Sequence, residues 1–288
     1  MEQEETVSVS RTPELDRSVD TEELRQLAET FARRAGELIR SRGTSGAAVA
    51  DTKSSPTDVV TATDREVESL LRALIAERRP QDAILGEEVG LGTGDSDLTW
   101  VVDPIDGTVN FVYGIPAFAV SVAVVSGDPQ QPGAWRPLAG CVHNPVSGLT
   151  WTAAADGGAF LDGRQLRLGA PPALEGALVA TGFGYRAERR IAQSRVLAGL
   201  LGRVRDIRRM GAASLDLCMV ASGQVDAYYE RGLNVWDMAA GVLIVTEAGG
   251  QVRGIDGVPA GEHMTVAAAA PLSDVLAGEL SALGAGAD

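Results

Sequence analysis

Two aspartates, Asp103 and Asp106, follow the apolar run of residues 100–102. Pro104 lies between them, and because proline fixes its own φ and keeps the preceding residue extended, the turn is stiff. Carboxylates this close repel each other, and both stay ionised at low cost only when cations lie between them. Gly107 allows close backbone approach, and a helix starting there would offer free N–H groups to a phosphate. The pattern therefore indicates a site for cations and a phosphate, although Asp-Pro and Asp-Gly are also common in simple turns.

Further carboxylates stand where other predicted elements end or begin. Glu87 and Glu88 follow a short predicted strand at residues 83–85. Asp237 starts an almost wholly apolar predicted helix near residues 236–248. Glutamate pairs are often only solvated surface, and a carboxylate at a helix start often serves only as a cap. Together with the aspartate pair, however, these residues predict a hard-cation site, and ligation by oxygen alone favours Mg²⁺ or Mn²⁺ over zinc.

Other catalytic signatures are weaker. The two histidines, His143 and His263, do not have the spacing of metal ligands. Residues 95–99 match the D-x-D-x-T pattern of phosphatases with an aspartyl nucleophile, but they follow a glycine-rich stretch rather than an apolar strand, which indicates a polar turn. Cys141 and Cys218 are far apart and have apolar neighbours, which is typical of buried, reduced thiols in a cytosolic protein.

Taken together, these residues resemble the inositol monophosphatase family. The family's first motif is Asp-Pro-Ile-Asp-Gly-Thr after an apolar strand, found here at residues 103–108. Its second motif is Trp-Asp before a small-residue helix ending in Glu-Ala-Gly-Gly, found at residues 236–250. Other matches keep the family's order and lie at residues 53–56, 61–64, 86–88, 211–213 and 226–230. The resemblance covers roughly residues 25–270 and implies a five-layer α/β/α/β/α sandwich with Mg²⁺-dependent phosphatase activity.

The resemblance also implies roles for individual residues. The implied ligands of two or three Mg²⁺ ions are Glu87, Asp103, the carbonyl of Ile105, Asp106 and Asp237. The implied catalytic residues are Asp64 and Thr108, which would orient the attacking water, and Glu88, near a weaker third ion. The implied substrate-binding residues are Glu87, Ile105, Asp106, Gly107, Thr108, Gly211, Ala212, Ala213, Glu230 and Asp237. Lys53 would lie on a loop over the site.

The expected substrate is myo-inositol monophosphate, because residues 211–213 with Glu230 favour a neutral polyol. Fructose 1,6-bisphosphate, histidinol phosphate and adenosine 3′,5′-bisphosphate stay open, since close relatives hydrolyse them with similar metal motifs. A bisphosphate would need a cationic site for its second phosphate. The candidate residues are Arg186, Arg189, Arg190, Arg205, Arg208 and Arg209. These arginines are equally explained as a solvated basic face of the protein. An alternative of a different class is a non-catalytic role in which the chain binds the transcription machinery.

Composition restricts the partners further. The 288 residues are 45% apolar and carry a formal net charge of −14, which disfavours binding to nucleic acid or to an anionic membrane. The first 20 residues contain no apolar stretch typical of a signal peptide, and no apolar run approaches a membrane-spanning length. We therefore expect a cytoplasmic phosphatase that acts on a small molecule. The family resemblance also implies that Li⁺ inhibits the enzyme and that two copies of the chain form a homodimer.

The pattern of apolar residues predicts the elements that position these side chains. We expect a disordered tail over residues 1–19 and one domain over 20–288, made of two packed halves at about 20–170 and 171–288. Predicted loops are residues 43–57 and 126–137. Predicted helices cover residues 20–42, 63–79, 187–201, 212–222 and 236–248, and predicted strands cover 83–85, 99–103, 117–125, 138–142, 149–153, 177–181, 204–208 and 225–229, followed by a final strand–helix pair.

Overall fold

The structure, a computed structural model, describes residues 19–43, 49–52 and 59–286. Its elements up to residue 165 are α1 (Thr21–Arg42), β1 (Val49–Thr52), β2 (Val59–Thr61), α2 (Ala62–Arg78), β3 (Ala83–Gly86), β4 (Gly90–Leu91), β5 (Leu98–Asp106), α3 (Thr108–Tyr113), β6 (Ala119–Gly127), β7 (Trp135–His143), β8 (Thr150–Ala154), β9 (Gly158–Leu161) and β10 (Arg164–Gln165). The elements that follow are β11 (Leu178–Thr181), α4 (Ala187–Leu201), β12 (Asp206–Arg208), α5 (Ala213–Ala221), β13 (Ala227–Glu230), α6 (Val235–Glu247), β14 (Gln251–Arg253), β15 (Thr265–Ala268) and α7 (Leu272–Ala282).

The strands form two main sheets. The larger sheet has the order β10-β9-β8-β7-β6-β5-β3-β4 and is antiparallel except for the parallel pair of β3 and β5. The smaller sheet has the order β12-β11-β13-β15-β14, in which β11 runs parallel to both of its neighbours. Because β3 and β5 are parallel, their carboxyl ends lie at the same edge of the sheet, and this edge carries Glu87 and Asp103.

Five layers follow from how the helices pack on these sheets. One face of the larger sheet is covered by α1 and α2, and the other face contacts α6, with α5 beside it. The helices α5 and α6 also contact the smaller sheet, whose outer face packs against α4 and α7. This arrangement confirms the α/β/α/β/α sandwich expected from the sequence.

The central position of α6 explains its composition. Leu243, Ile244 and Val245 follow one another in the sequence and are all buried, because a helix between two sheets has almost no face toward water. The helix also lies close to the larger sheet. A Cβ atom added at Gly140 of β7 would lie 3.0 Å from the Cα atom of Ala240. The small residues of the second family motif therefore allow α6 to pack tightly against β7 of the larger sheet.

The first helix matches its prediction closely. Asp20 accepts a hydrogen bond from the backbone N–H of Glu23 at 3.0 Å and caps α1. The apolar residues that predicted the helix, such as Leu24 and Phe31, are buried against the larger sheet, and the ring of Phe31 lies 5.5 Å from that of Trp100. The α2 helix begins at Ala62, one residue before its predicted start.

Two predicted loops are partly wrong. Residues 43–57 include the strand β1, which pairs with β2, and residues 126–137 include the start of β7. Pro137 disfavours a regular strand because it has no backbone N–H to donate. In the structure it pairs with Val125 at an irregularity in the β6–β7 register. A proline is tolerated there because a bulge interrupts the ladder of hydrogen bonds. The short strands β4, β9, β10 and β14 were not predicted.

Some predictions concern residues outside the described ranges. These are the tail, apart from Val19, and Lys53. In the part of the chain that the structure describes, no helix has the length and apolar character needed to cross a bilayer.

His143 is a buried titratable group at the contact between α1 and β7. Its side chain is 2% exposed, and its Nδ1 atom lies 2.9 Å from the Oγ1 atom of Thr150. A Cβ atom at Gly36 of α1 would lie 2.5 Å from the imidazole ring, so the helix backbone packs directly on it. Burial, with smaller effects from the positive charges of Arg33 and Arg40, lowers the pKa of His143 to about 4.

This lowered pKa predicts acid sensitivity. The unfolded chain binds a proton at His143 below pH ~6.5, whereas the folded chain binds it only near pH 4, so the stability from this site falls as pH drops through this window. We expect the free energy of unfolding of the wild type to lose about 3 kcal/mol more than that of His143→Phe between pH 7 and pH 4. Urea denaturation of both proteins at several pH values measures the difference, and parallel curves would contradict the prediction.

Candidate active site

Three aspartates from two distant parts of the chain meet in one cavity. Asp103 and Asp106 lie in the last part of β5, and Asp237 lies in the first turn of α6. Each offers a carboxylate oxygen, and these atoms all lie within 4.8 Å of one another. The cavity has a volume of about 440 Å³. Of the residues predicted from the sequence, it is lined by Glu87, Asp103, Ile105, Asp106, Gly107, Thr108, Gly211, Ala213, Glu230 and Asp237.

The turn after β5 is shaped by its own backbone. The N–H of Ile105 donates to a carboxylate oxygen of Asp103 at 3.0 Å, and the regular pairing of β5 with β6 is interrupted between Asp103 and Asp106. Gly107 has a φ of 91°, in the left-handed region. A Cβ atom there would lie 3.0–3.1 Å from Ala117, Gly211 and Ala212, so glycine is required for both conformation and space. The helix α3 then begins at Thr108, next to the carboxylates.

Asp106 connects the two sheets through the start of α5. One carboxylate oxygen of Asp106 accepts hydrogen bonds from the backbone N–H of Ser214 at 2.7 Å and from its hydroxyl at 2.5 Å. The other oxygen accepts from the N–H of Ala213 at 3.3 Å. Burial raises the pKa of Asp106 to about 6, although the Ser214 and Ala213 donors act in the opposite direction. The positive end of α5 thus holds this carboxylate in the cavity.

Asp237 is held at the start of α6 in a similar way. One of its oxygens accepts a hydrogen bond from the N–H of Asn234 at 2.6 Å in a capping box. Burial, together with the negative charges of Asp106 and Glu87, raises the pKa of Asp237 well above its usual range. A cation among these carboxylates would favour their charged forms and so offset the burial that raises both pKa values and the repulsion that adds to it at Asp237. The cluster can therefore hold a metal ion.

Asp64 contacts both the start of α2 and the side chain of Thr108. One of its oxygens accepts from the N–H of Thr61 at 2.9 Å and from the Thr61 hydroxyl, which caps α2. Its other oxygen lies 3.2 Å from the Thr108 hydroxyl, which is also 3.1 Å from the carbonyl of Ile105. Asp64 is fully buried behind Thr108 and does not line the cavity.

Glu230 lies on the wall of the cavity contributed by β13. Its carboxylate accepts a hydrogen bond from the hydroxyl of Tyr228 at 2.7 Å. A Cβ atom at Gly182 would lie 1.9 Å from the same carboxylate, so this position must be glycine for Glu230 to reach the cavity. Burial raises the pKa of Glu230 to about 7, while the Tyr228 hydrogen bond and the charge of Arg209 act in the opposite direction.

Besides Asp64, two further predicted site residues among those that the structure describes lie outside the lining of the cavity. Ala212 was expected on the substrate-facing wall, but it is 1% exposed and its methyl group packs beneath Gly107. The reason is that α5 begins at Ala213, so the chain turns inward at Ala212 before the helix starts. Glu88 was expected near the catalytic centre, but Glu87 lines the cavity and Glu88 does not. Residues 95–97, part of the D-x-D-x-T pattern, form a bend ahead of β5, as the sequence predicted. They do not line the cavity either.

Glu68, a buried glutamate of α2, was not among the residues predicted from the sequence. Its carboxylate accepts hydrogen bonds from the N–H of Glu88 at 2.7 Å and of Val89 at 3.1 Å, and from Arg72 at 2.8 Å. A Cβ atom at Gly86 would lie 2.3 Å from the Glu68 carboxylate. Glu68 therefore fixes the backbone on both sides of Glu87. The available signal was the spacing of Asp64 and Glu68, which share the buried face of α2 with its apolar residues.

Asn110 of α3 was also missed. Its side-chain amide donates to the carbonyls of Ala117 at 2.7 Å and Met210 at 2.8 Å. These two bonds connect the segment after β5 with the segment that leads into α5. They help to bring Gly211 and Ala213 to the cavity, and no local pattern in the sequence indicates a contact over this distance.

Comparison with known proteins agrees with this geometry. The family model described as "Inositol monophosphatase family" matches residues 20–283. The chain belongs to the inositol monophosphatase family. The inositol-1-monophosphatase of Mycobacterium leprae is 47% identical over 277 residues, which cover 89% of this chain and 93% of that protein. A protein of Pseudomonas aeruginosa named "Nus factor SuhB" is 42% identical over 237 residues, which cover 80% of this chain and 85% of that protein.

Solved structures of the family share the fold. Mycobacterium tuberculosis SuhB superposes with a TM-score of 0.76 at 42% identity, covering 92% of this chain and 98% of that one. The Thermotoga maritima inositol monophosphatase TM1415 gives a TM-score of 0.78 at 29% identity, covering 91% and 98% of the two chains. Membership of this phosphatase family confirms the class of enzyme that the sequence predicted.

We expect Glu68→Gln to weaken the metal site without unfolding the protein. The amide keeps the shape of the side chain but loses the charge that orders the Glu88 and Val89 amides, so Glu87 is held less precisely. Loss of such supporting contacts typically reduces metal affinity about 10-fold or more. Calorimetric titration with a divalent cation tests this, with Glu77→Gln on the exposed face of the same helix as the matched control. Equal affinities for the two variants would contradict the assignment.

Proposed function

We propose that this chain is a Mg²⁺-dependent phosphatase that hydrolyses myo-inositol monophosphate to myo-inositol and phosphate. The observation that carries the proposal is the convergence of Asp103, Asp106 and Asp237 beside the turn at Gly107 and Thr108. The donors of this cluster are carboxylate oxygens, which suit a hard cation such as Mg²⁺. The family membership supports the chemistry, and the name of the Mycobacterium leprae relative supports the substrate.

The proposed metal ligands are Glu87, Asp103, the carbonyl of Ile105, Asp106 and Asp237, for two or three Mg²⁺ ions. When bound, Mg²⁺ supplies the positive charge that stabilises the attacking and leaving oxygens of the displacement. The chain supplies the geometry. Backbone N–H groups at Gly107 and Thr108 would bind the phosphate, because the first amides of α3 have no partner within the helix.

Thr108 and Asp64 would orient the attacking water. The Thr108 hydroxyl lies 3.2 Å from Asp64 and lines the cavity, so when it donates to Asp64 its oxygen can accept a proton from a water in the cavity. As water attacks, the Thr108 hydroxyl would take this proton and pass its own to the Asp64 carboxylate. The Asp64 position is rigid because its second oxygen is held by the capping box of α2, which suits a group that must not move during the step.

The inositol ring would lie against Gly211, Ala213 and Glu230. A carboxylate accepts hydrogen bonds from ring hydroxyls, and Tyr228 holds Glu230 in place. The small residues Gly211 and Ala213 leave room for the ring. Ala212 is not part of this wall, because its side chain is buried beneath Gly107.

A role in protein binding is a second candidate, supported by the name of the Pseudomonas aeruginosa relative. Such a role would be compatible with the net charge of −14, which disfavours RNA but not protein partners. A homodimer and a cytoplasmic location also remain predictions. The buried free thiols of Cys141 and Cys218 support the cytoplasmic location.

Removal of divalent metal should abolish phosphate release, because the carboxylates alone repel a phosphate dianion. We expect no turnover in excess EDTA, recovery with Mg²⁺, inhibition by Li⁺, and a higher kcat/KM for myo-inositol 1-phosphate than for fructose 1,6-bisphosphate or histidinol phosphate. Asp237→Asn should need more Mg²⁺ for half-maximal rate. Full turnover in EDTA would rule out the proposed mechanism.

Thr108→Ala and Asp64→Asn should lower kcat by ~10²–10⁴-fold while leaving the Mg²⁺ requirement nearly unchanged. The double variant should cost little more than either single variant, because the two side chains act as one unit. Asp64→Asn should also lower the melting temperature, since Asp64 caps α2. The matched control is Thr61→Val, which removes the hydroxyl of the cap without contacting Thr108. If Thr61→Val reduces kcat as strongly as Asp64→Asn, the effect is structural and the assignment fails.

A further inference from the structure

Two parallel strands of the smaller sheet separate beside the cavity. The regular pairing of β11 with β13 ends at Thr181 and Tyr229. The chain then continues from β11 into residues 182–186, which have no regular secondary structure and line the cavity. Glu230 and Arg231 line it from the β13 side. Because β11 and β13 no longer pair here, backbone N–H and C=O groups at this point need other partners.

Gln193 of α4 provides such partners. Its side-chain Oε1 atom accepts a hydrogen bond from the N–H of Gly184 at 2.9 Å. Its Nε2 atom donates to the carbonyl oxygens of Gly182 and Arg231, at 3.5 Å each. A glutamine side chain carries an acceptor and two N–H donors on one amide group, much as a backbone peptide carries both kinds of group. The Gln193 amide therefore connects the two chains where the strand pairing has ended.

Gln193 acts from behind the active-site cavity. The side chain is half-buried and lines a separate small cavity of about 20 Å³, together with Gly182 and Phe183. It is not among the residues that line the cavity of the carboxylate cluster. A space of 20 Å³ holds roughly one water molecule, so a substrate does not reach Gln193 through it. Any effect of Gln193 on the substrate must pass through the backbone that it holds.

That backbone supports Glu230. A Cβ atom at Gly182 would lie 1.9 Å from the Glu230 carboxylate, so the chain at Gly182 packs directly against this side chain. Glu230 also accepts the hydrogen bond from the Tyr228 hydroxyl at 2.7 Å. The carboxylate is thus placed by one hydrogen bond and by the packed backbone of Gly182. A shift of that backbone would change where Glu230 lies in the cavity.

We propose that Gln193 is a positioning residue that determines how well the enzyme recognises the alcohol part of its substrate. It holds residues 182–184 against Glu230, whose carboxylate accepts hydrogen bonds from the ring hydroxyls. The carboxylate cluster lies on β5 and α6 instead, so loss of the Gln193 amide should affect recognition of the alcohol and leave the metal site intact. This inference rests on the proposed function, because it names a determinant of specificity at the same site.

The matched substrates are myo-inositol 1-phosphate and p-nitrophenyl phosphate, whose leaving group has no additional hydroxyl for Glu230. Gln193→Met keeps the length of the side chain but removes its acceptor and donors. We expect it to raise KM for the inositol phosphate about 10-fold, as for the loss of about one hydrogen bond. The kcat, the Mg²⁺ requirement and kcat/KM for p-nitrophenyl phosphate should stay as in the wild type. Ser194→Ala is the matched control, because Ser194 is exposed and its hydroxyl donates within α4 to the carbonyl of Ile191.

A double-mutant cycle shows whether Gln193 acts through Glu230. Glu230→Gln should itself raise KM for the inositol phosphate, and Gln193→Met should then add little, because both changes disturb one interaction. A full additional loss in the double variant, or an equal loss for both substrates in Gln193→Met, would overturn the inference. A lower melting temperature of Gln193→Met with an unchanged ratio of the two kcat/KM values would also overturn it, since the role would then be structural only.

Binding distinguishes this inference from the proposed function. The melting temperature of each protein is measured with and without myo-inositol 1-phosphate, in Mg²⁺ and at equal concentration. The ligand should stabilise the wild type and Ser194→Ala more than Gln193→Met. This difference without any hydrolysis would support the positioning role and contradict the proposed function. Hydrolysis by the wild type, with equal protection and equal KM in Gln193→Met, would overturn the positioning role and leave the proposed function standing.

Discussion

Repulsion between buried carboxylates is the constraint on which this site depends. Asp103, Asp106 and Asp237 present oxygens within 4.8 Å of one another, and like charges held together away from water are costly. The fold offsets part of this cost with backbone N–H groups. The donors are Ile105 for Asp103, Ser214 for Asp106 and Asn234 for Asp237. The pKa values of Asp106 and Asp237 remain raised, mainly by burial, so a bound cation would stabilise the cluster further.

The starts of three helices provide most of this support. Asp106 accepts from the first turn of α5, while Asp237 and Asp64 complete capping boxes at the starts of α6 and α2. Asp106 and Asp237 thereby face the cavity, whereas Asp64 lies buried behind Thr108. Each of these residues thus supports the start of a helix and also has a part in the proposed chemistry. For this reason a lost activity has meaning only beside a control, such as Thr61→Val, that weakens the cap but keeps the Asp64 carboxylate and the Thr108 hydroxyl.

The cavity combines opposite charges along its length. The whole chain carries a net charge of −14, which repels a phosphate dianion at long range. Arg186, Arg189 and Arg209 line the same cavity, and glycines at positions 184, 211 and 232 leave space for two of these side chains. A substrate in this cavity would thus lie between the carboxylate cluster and these guanidinium groups.

The features that depend on near neighbours could be predicted from the order of the residues. The periodicity and caps of α1 and α2, the stiff turn after β5 and the family motifs are all local, and they sufficed to predict the fold class and the candidate site residues. The tertiary structure alone decided which side chain faces the cavity. Ser214 contacts Asp106 across 108 residues, Pro137 enters a strand at a register shift, and Ala213 lines the cavity whereas Ala212 lies buried beneath Gly107. Such outcomes depend on how distant elements pack, because a one-residue change in register or helix start turns a side chain from one face to another.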